Sequence, residues 1–163
     1  MSNATEQATP QLTLAELKSI AKRLLDNYTR EAELYKSVLK LTELQHTSLE
    51  DTGEIRDFIA LLHQKEDLIR AIDKIEVKLD DDKAKWMRMS DDLKNGSSER
   101  LNRLLDEIIL TIEKIMKVEQ ENELLLKDRK DEVEQELESI RKGRKAAQEY
   151  AGRKDAKLIS AIS

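Results

Sequence analysis

Two histidines are the first residues in this chain whose types and spacing invite chemistry. Glu43-Leu-Gln-His46 is one copy of the Glu-x-x-His spacing that, in helical di-iron proteins, puts a carboxylate and an imidazole on one helix face. A metal centre of that kind needs a second copy. His63 carries Ala60 where the second glutamate would stand, and a hairpin turning near Thr52 would not bring the two histidines level. Both are therefore expected as solvated or rim histidines, with no metal bound. The absence of cysteine removes disulfides, thiolate metal sites and thiol nucleophiles. No glycine-rich loop is available to cradle phosphate, and the carboxylates fall three or four residues from Lys or Arg, the pattern of charged helix faces. Catalysis needs a concave site with groups of shifted pKa, so this inventory points away from an enzyme and away from any cofactor.

The elements that carry these residues are dictated by composition. Hydrophobic and charged residues each make up 39% of the 163 positions, with four Gly, one Pro and 3% aromatics. Few turn-formers and few bulky groups favour long helices over sheets. No stretch approaches the roughly 18 consecutive apolar residues of a membrane span, and Met1 to Gln11 lacks the basic start and apolar run of a signal peptide. The expectation is no membrane insertion and a cytoplasmic location, which the lack of cysteine allows.

Charge is unevenly spread. From Arg141 onward seven basic residues face only Glu149 and Asp155, a balance of +5; the formal total of −5 then leaves −10 for residues 1–140. An acidic body with a basic end is not the concentrated basic face that nucleic-acid binding draws on.

Along the chain, residues 1–12 are polar, aperiodic and contain Pro10, and are expected to form a disordered lead. Thr13 and Glu16 have capping-box spacing and open a helix predicted over about 13–50. Leu17, Ala21, Leu24, Tyr28, Tyr35 and Val38 mark its apolar face, widened by Leu34, Leu41 and Leu44. Asp51-Thr52-Gly53-Glu54 predicts a reversal. A second helix is predicted over 53–93, with Ile55, Phe58, Ile59, Leu62, Ile69, Ile72, Ile75, Leu79 and Trp86 at helical period. Lys94-Asn95-Gly96-Ser97-Ser98 predicts the clearest break. A third helix is predicted over 98–143, with Asn122 and Arg129 inside its apolar stripe, where a polar residue either fixes register or marks an opening for a partner.

The fold expected is all-α: an elongated antiparallel bundle or coiled coil of three long helices in residues 13–143. Residues 144–163 form a basic C-terminal tail, marginally ordered and helical on partner binding, because its few large apolar groups lie near the terminus. Tyr28 and Tyr35 are read as bundle-facing. Tyr150 lies outside the long stripes beside Arg144 and Lys145 and is a candidate contact with another protein.

Four segments taken in order resemble the FlgN-type flagellar export chaperones: Glu31 to Gln45 (EAELYKSVLKLTELQ), Leu61 to Ile69 (LLHQKEDLI), Glu121 to Leu126 (ENELLL) and Arg141 to Tyr150 (RKGRKAAQEY). The likeness runs from about Leu14 to Tyr150. It implies a cytoplasmic chaperone whose C-terminal helix and tail hold the amphipathic terminal helix of hook-filament junction proteins. The apolar positions for that grip are Val133, Leu137, Ile140, Ala147, Leu158 and Ile159. It implies also that a tail tyrosine, here Tyr150, docks on the flagellar export gate. The competing expectation is a self-associating coiled-coil scaffold or spacer, a homodimer in its simplest form.

Overall fold

The computed structural model describes residues 13–51, 53–89 and 91–162, and side chains for all of these except 91–95 and 153–162. The lead 1–12 expected to be disordered lies outside the described residues. Four helices follow one another: α1 Leu14–Glu50, α2 Ile55–Met87, α3 Asp91–Asp128 and α4 Lys130–Ile162. Among the described residues there is no strand.

The start of α1 is set locally. The Glu16 amide donates to Thr13 Oγ1 at 3.2 Å, and the Thr13 amide donates to Glu16 Oε2 at 2.9 Å, so two amides that lack helical partners are satisfied. At its other end α1 stops at Glu50 and α2 opens at Ile55. Gly53 sits at a close approach, since a Cβ there would stand 3.0 Å from the Ser48 carbonyl oxygen.

α1 is the central element, packing along both α2 and α3, whereas α4 meets only limited parts of α2 and α3. The ion pair Arg23–Asp82 and the hydrogen bond from Gln45 to the Phe58 carbonyl make α1 and α2 antiparallel. Lys36–Glu107 and Asn122–Thr42 make α1 and α3 parallel. Leu17, Ile20, Leu24, Ile75, Leu79, Leu101 and Ile108 form one apolar cluster. A second, smaller cluster gathers Leu49, Ile55, Phe58 and Ile59, against which Leu125, Leu126, Val133 and Ile140 pack.

Two expectations are corrected here. The body has four helices, not three, because the helix expected over 98–143 breaks at Arg129. The Arg129 amide bonds the Leu126 carbonyl at 3.1 Å, and its guanidinium donates to the Gly53 carbonyl at 2.7 Å and to Glu132 at 2.7 Å. These bonds tie the chain to the α1–α2 turn at the residue where α3 gives way to α4. The second correction concerns the expected break at Lys94 to Ser98, which lies inside α3. The reversal comes earlier, where the Arg88 and Met89 amides reach back three residues to Lys85 and Trp86 and Met89 is buried against the first cluster. Core burial outweighs the roughly 1 kcal/mol that Gly96 costs inside a helix. Beyond residue 143 α4 continues as helix through residue 162, and its described side chains there are exposed.

The inward faces also differ from the apolar stripes. Leu44, Leu62 and Ile69 are exposed, while Thr42, Gln45 and Lys65 are buried. The steps of three and four that start at Leu17 continue through Val38 to Thr42, Gln45 and Leu49, so geometry keeps the period where side-chain chemistry changes.

Leu24, only 1% exposed, sits at the centre of the first cluster. Leu24→Ala is expected to lower unfolding free energy by about 2–5 kcal/mol in urea titration, whereas Leu44→Ala should change it by less than about 0.5 kcal/mol.

Candidate functional site

Between the two apolar clusters lies a polar joint built by all three long-packed helices. Asn122 of α3, 1% exposed, donates from Nδ2 to the Thr42 carbonyl at 3.2 Å, which fixes the orientation of its amide. Its Oδ1 then faces His46 Nδ1 at 2.9 Å, and His46 Nε2 faces Glu50 Oε1 at 3.0 Å. Lys65 of α2 is buried and donates to Gln45 Oε1 at 2.8 Å and to Glu119 of α3, while Gln45 donates to the Phe58 carbonyl at 3.3 Å.

His46 is thus a partner of Asn122, and Glu43, its companion in the Glu-x-x-His spacing, is exposed. His63 is exposed, with Nδ1 3.5 Å from Glu66. No cluster able to hold a metal ion occurs among the described residues. Sequence reasoning missed Thr42, Gln45 and Lys65 because it followed leucines; the unbroken period from Leu17 would have found the first two.

A second polar group lies between α1 and α2. Glu31 is 3% exposed, and Oε2 has no hydrogen-bond partner. Burial, then a hydrogen bond and charge from Glu76, push its carboxyl up to about 8. Burial opposes ionisation of Glu76 as well, but hydrogen bonds with Lys83 and Glu31 bring its carboxyl below the usual range. Lys83 pairs with Glu76 and stands 5.6 Å from the centre of the Tyr28 ring. Tyr28 is buried and Tyr35 packs partly buried against the first cluster, as bundle-facing residues.

The remaining feature is α4. Val133 and Ile140 are partly buried against the second cluster, and Arg56 holds Glu136 at 3.3 Å. Leu137, on the same stripe, is 42% exposed. From Arg141 through Gly152 every residue is exposed, including Ala147, and Tyr150 is 71% exposed. The positions singled out for partner contact therefore divide. Val133 and Ile140 help seat α4; Leu137, Ala147 and Tyr150 face outward; the side chains of Leu158 and Ile159 lie outside those described. Val133, Leu137, Ile140 and Ala147 share one stripe by steps of four, three and seven, and Tyr150 is off it.

A helical body locked by a buried polar joint, with a terminal helix seated only at its start, defines an all-helical protein with an open helical arm. The family comparison makes the class specific. Residues 20–157 match the FlgN protein family model, which covers most of the chain, and the protein belongs to that family, one of flagellar export chaperones rather than enzymes. No curated protein and no solved structure matches the chain. Among the described residues no helix is long and apolar enough to cross a membrane.

Asn122→Ala leaves the Thr42 carbonyl and His46 without their partner, and is expected to cost about 1–3 kcal/mol in denaturant unfolding. Glu31 supplies a pH test. Its folded pKa lies above its ordinary value, so its stabilising effect is intact below about pH 4.5 and is lost as pH rises through about 8. Glu31→Gln should flatten that decline in thermal melts from pH 5 to about 9; an unchanged decline would remove Glu31 as its source.

Proposed function

We propose that this protein is a cytoplasmic export chaperone that binds the amphipathic terminal helix of hook-filament junction proteins and delivers them to the flagellar type III secretion apparatus. The observation that carries the reading is the exposure of α4 from Arg141 to Gly152, a helix whose stripe is seated by Val133 and Ile140 and then continues without an intrachain partner. An amphipathic partner helix laid along Val133, Leu137, Ile140 and Ala147 would extend the second apolar cluster. Leu158 and Ile159 continue the grip toward the terminus. Residues 144–163 have little to bury on their own, and they gain their lasting order when cargo covers them, which makes the grip reversible. Tyr150, off the stripe and exposed, is free to dock on the export gate while cargo is held.

The measurement is calorimetric titration of the full chain with a peptide of a junction protein's terminal helix. Leu137→Asp is expected to weaken binding on the order of tenfold or more, about 1.4 kcal/mol, and deletion of residues 141–163 to reduce it further. Tyr150→Ala should leave cargo affinity within about twofold while reducing capture by the gate's cytoplasmic domain. Undiminished binding after the deletion would refute the placement on α4.

A second reading, a self-associating scaffold or homodimer, is favoured by Ile109, Leu110, Met116 and Leu124, which are exposed on α3. Light scattering separates the two: a stable oligomer indifferent to junction-protein peptides supports the scaffold.

A further inference from the structure

The acidic body carries a depression with the opposite charge. It lies between α1 and α2, where Ile75 and Ala71 form an apolar floor and Arg30, Arg70, Lys74 and Lys78 form the walls with Asn27. Asp67 is the single acidic residue lining it, so the lining carries +3 while residues 1–140 together carry −10.

Several surface cations stand three or four residues from a carboxylate that they hold, as in Lys85–Asp81, Lys130–Glu134 and Lys142–Glu138. Arg70, Lys74 and Lys78 instead occupy i, i+4 and i+8 on one face of α2, and like charges at that spacing destabilise a helix. The residues three and four away from Lys74 are Arg70, Ala71, Val77 and Lys78, none of them acidic. Asp81 and Asp82, within reach of Lys78 by spacing, are taken by Lys85 at 3.1 Å and Arg23 at 3.0 Å. Only Arg70 has a partner on its own helix, Asp67 at 2.9 Å, with both side chains mostly exposed.

We propose that this trough docks an acidic helical segment of a partner protein, one that presents carboxylates at i, i+4 and i+8 and a small apolar residue between them. Eight residues of helix rise about 12 Å, so the cations of α2 form a row matched in length to such a stripe. Arg30 borders the row from α1, and Ile75 and Ala71 receive the apolar residue. The cations are spread along the trough and solvent-facing, an arrangement that suits distributed carboxylates better than one compact anion. The trough belongs to α1 and α2, so the inference goes beyond the grip assigned to α4.

The test uses the full chain and fluorescence anisotropy with a labelled Ala/Gln helical peptide carrying Glu at i, i+4 and i+8 around one central Ala. A second peptide has the same composition with the Glu residues moved off the stripe. The striped peptide should bind on the order of tenfold more tightly at low salt, and Lys74→Glu with Lys78→Glu should remove that preference. Both positions are exposed, and circular dichroism checks that the variant keeps its helices. Lys142→Glu with Lys145→Glu, in the basic part of α4, should leave binding unchanged. The proposal is overturned by no binding, by equal binding of the two peptides, by loss in the α4 variant instead, or by inorganic phosphate displacing the peptide at matched ionic strength.

Discussion

The arrangement of this protein hangs on the hydrogen bonds of Asn122. A buried amide that lost the Thr42 carbonyl would be left unsatisfied in a low-dielectric interior, so α3 can slide along α1 only at a cost that apolar contacts do not impose. Lys65 makes the same demand from the other side, joining α2 to Gln45 of α1 and Glu119 of α3. The two apolar clusters on either side supply burial without direction, and the joint between them sets the register. With α1 and α3 aligned in this way, Arg129 arrives at the α1–α2 turn and bonds Gly53. Register in the middle of the body thereby decides where α4 begins.

That starting point shapes what the protein offers to others. α4 is held by Val133, Ile140 and the Arg56–Glu136 pair, and nothing in its next residues is buried. A helix tethered at one end by a modest cluster opens more readily than the body behind it. Asp131 and Glu132 in the first turn of α4 match the positive end of the helix macrodipole and support the start of the helix.

Buried polar groups in this chain serve more than one end. The joint around Asn122 is fully bonded and specifies position. The Glu31–Glu76 pair leaves one carboxylate oxygen unpartnered and resists ionisation, so it ties the stability of the α1–α2 interface to pH. Both occur where heptad-like spacing carries a polar residue inward.

The sequence by itself determined the all-helical class, the capping box that starts α1, the reversal before Ile55 and the family likeness from about Leu14 to Tyr150. Each is local or periodic, written in neighbours three, four or seven residues apart. It misplaced the second reversal because Gly96 and Ser97 resemble a loop, whereas burial of Met89 turns the chain earlier. It also took Leu44, Leu62 and Ile69 as inward, and all three are exposed. Only the tertiary structure decided that Thr42, Gln45, Lys65 and His46 meet around Asn122 and that α3 gives way to α4 at Arg129. A polar side chain is tolerable inside only when its partner on another helix is in place, and that partner stands up to 80 residues away along the chain.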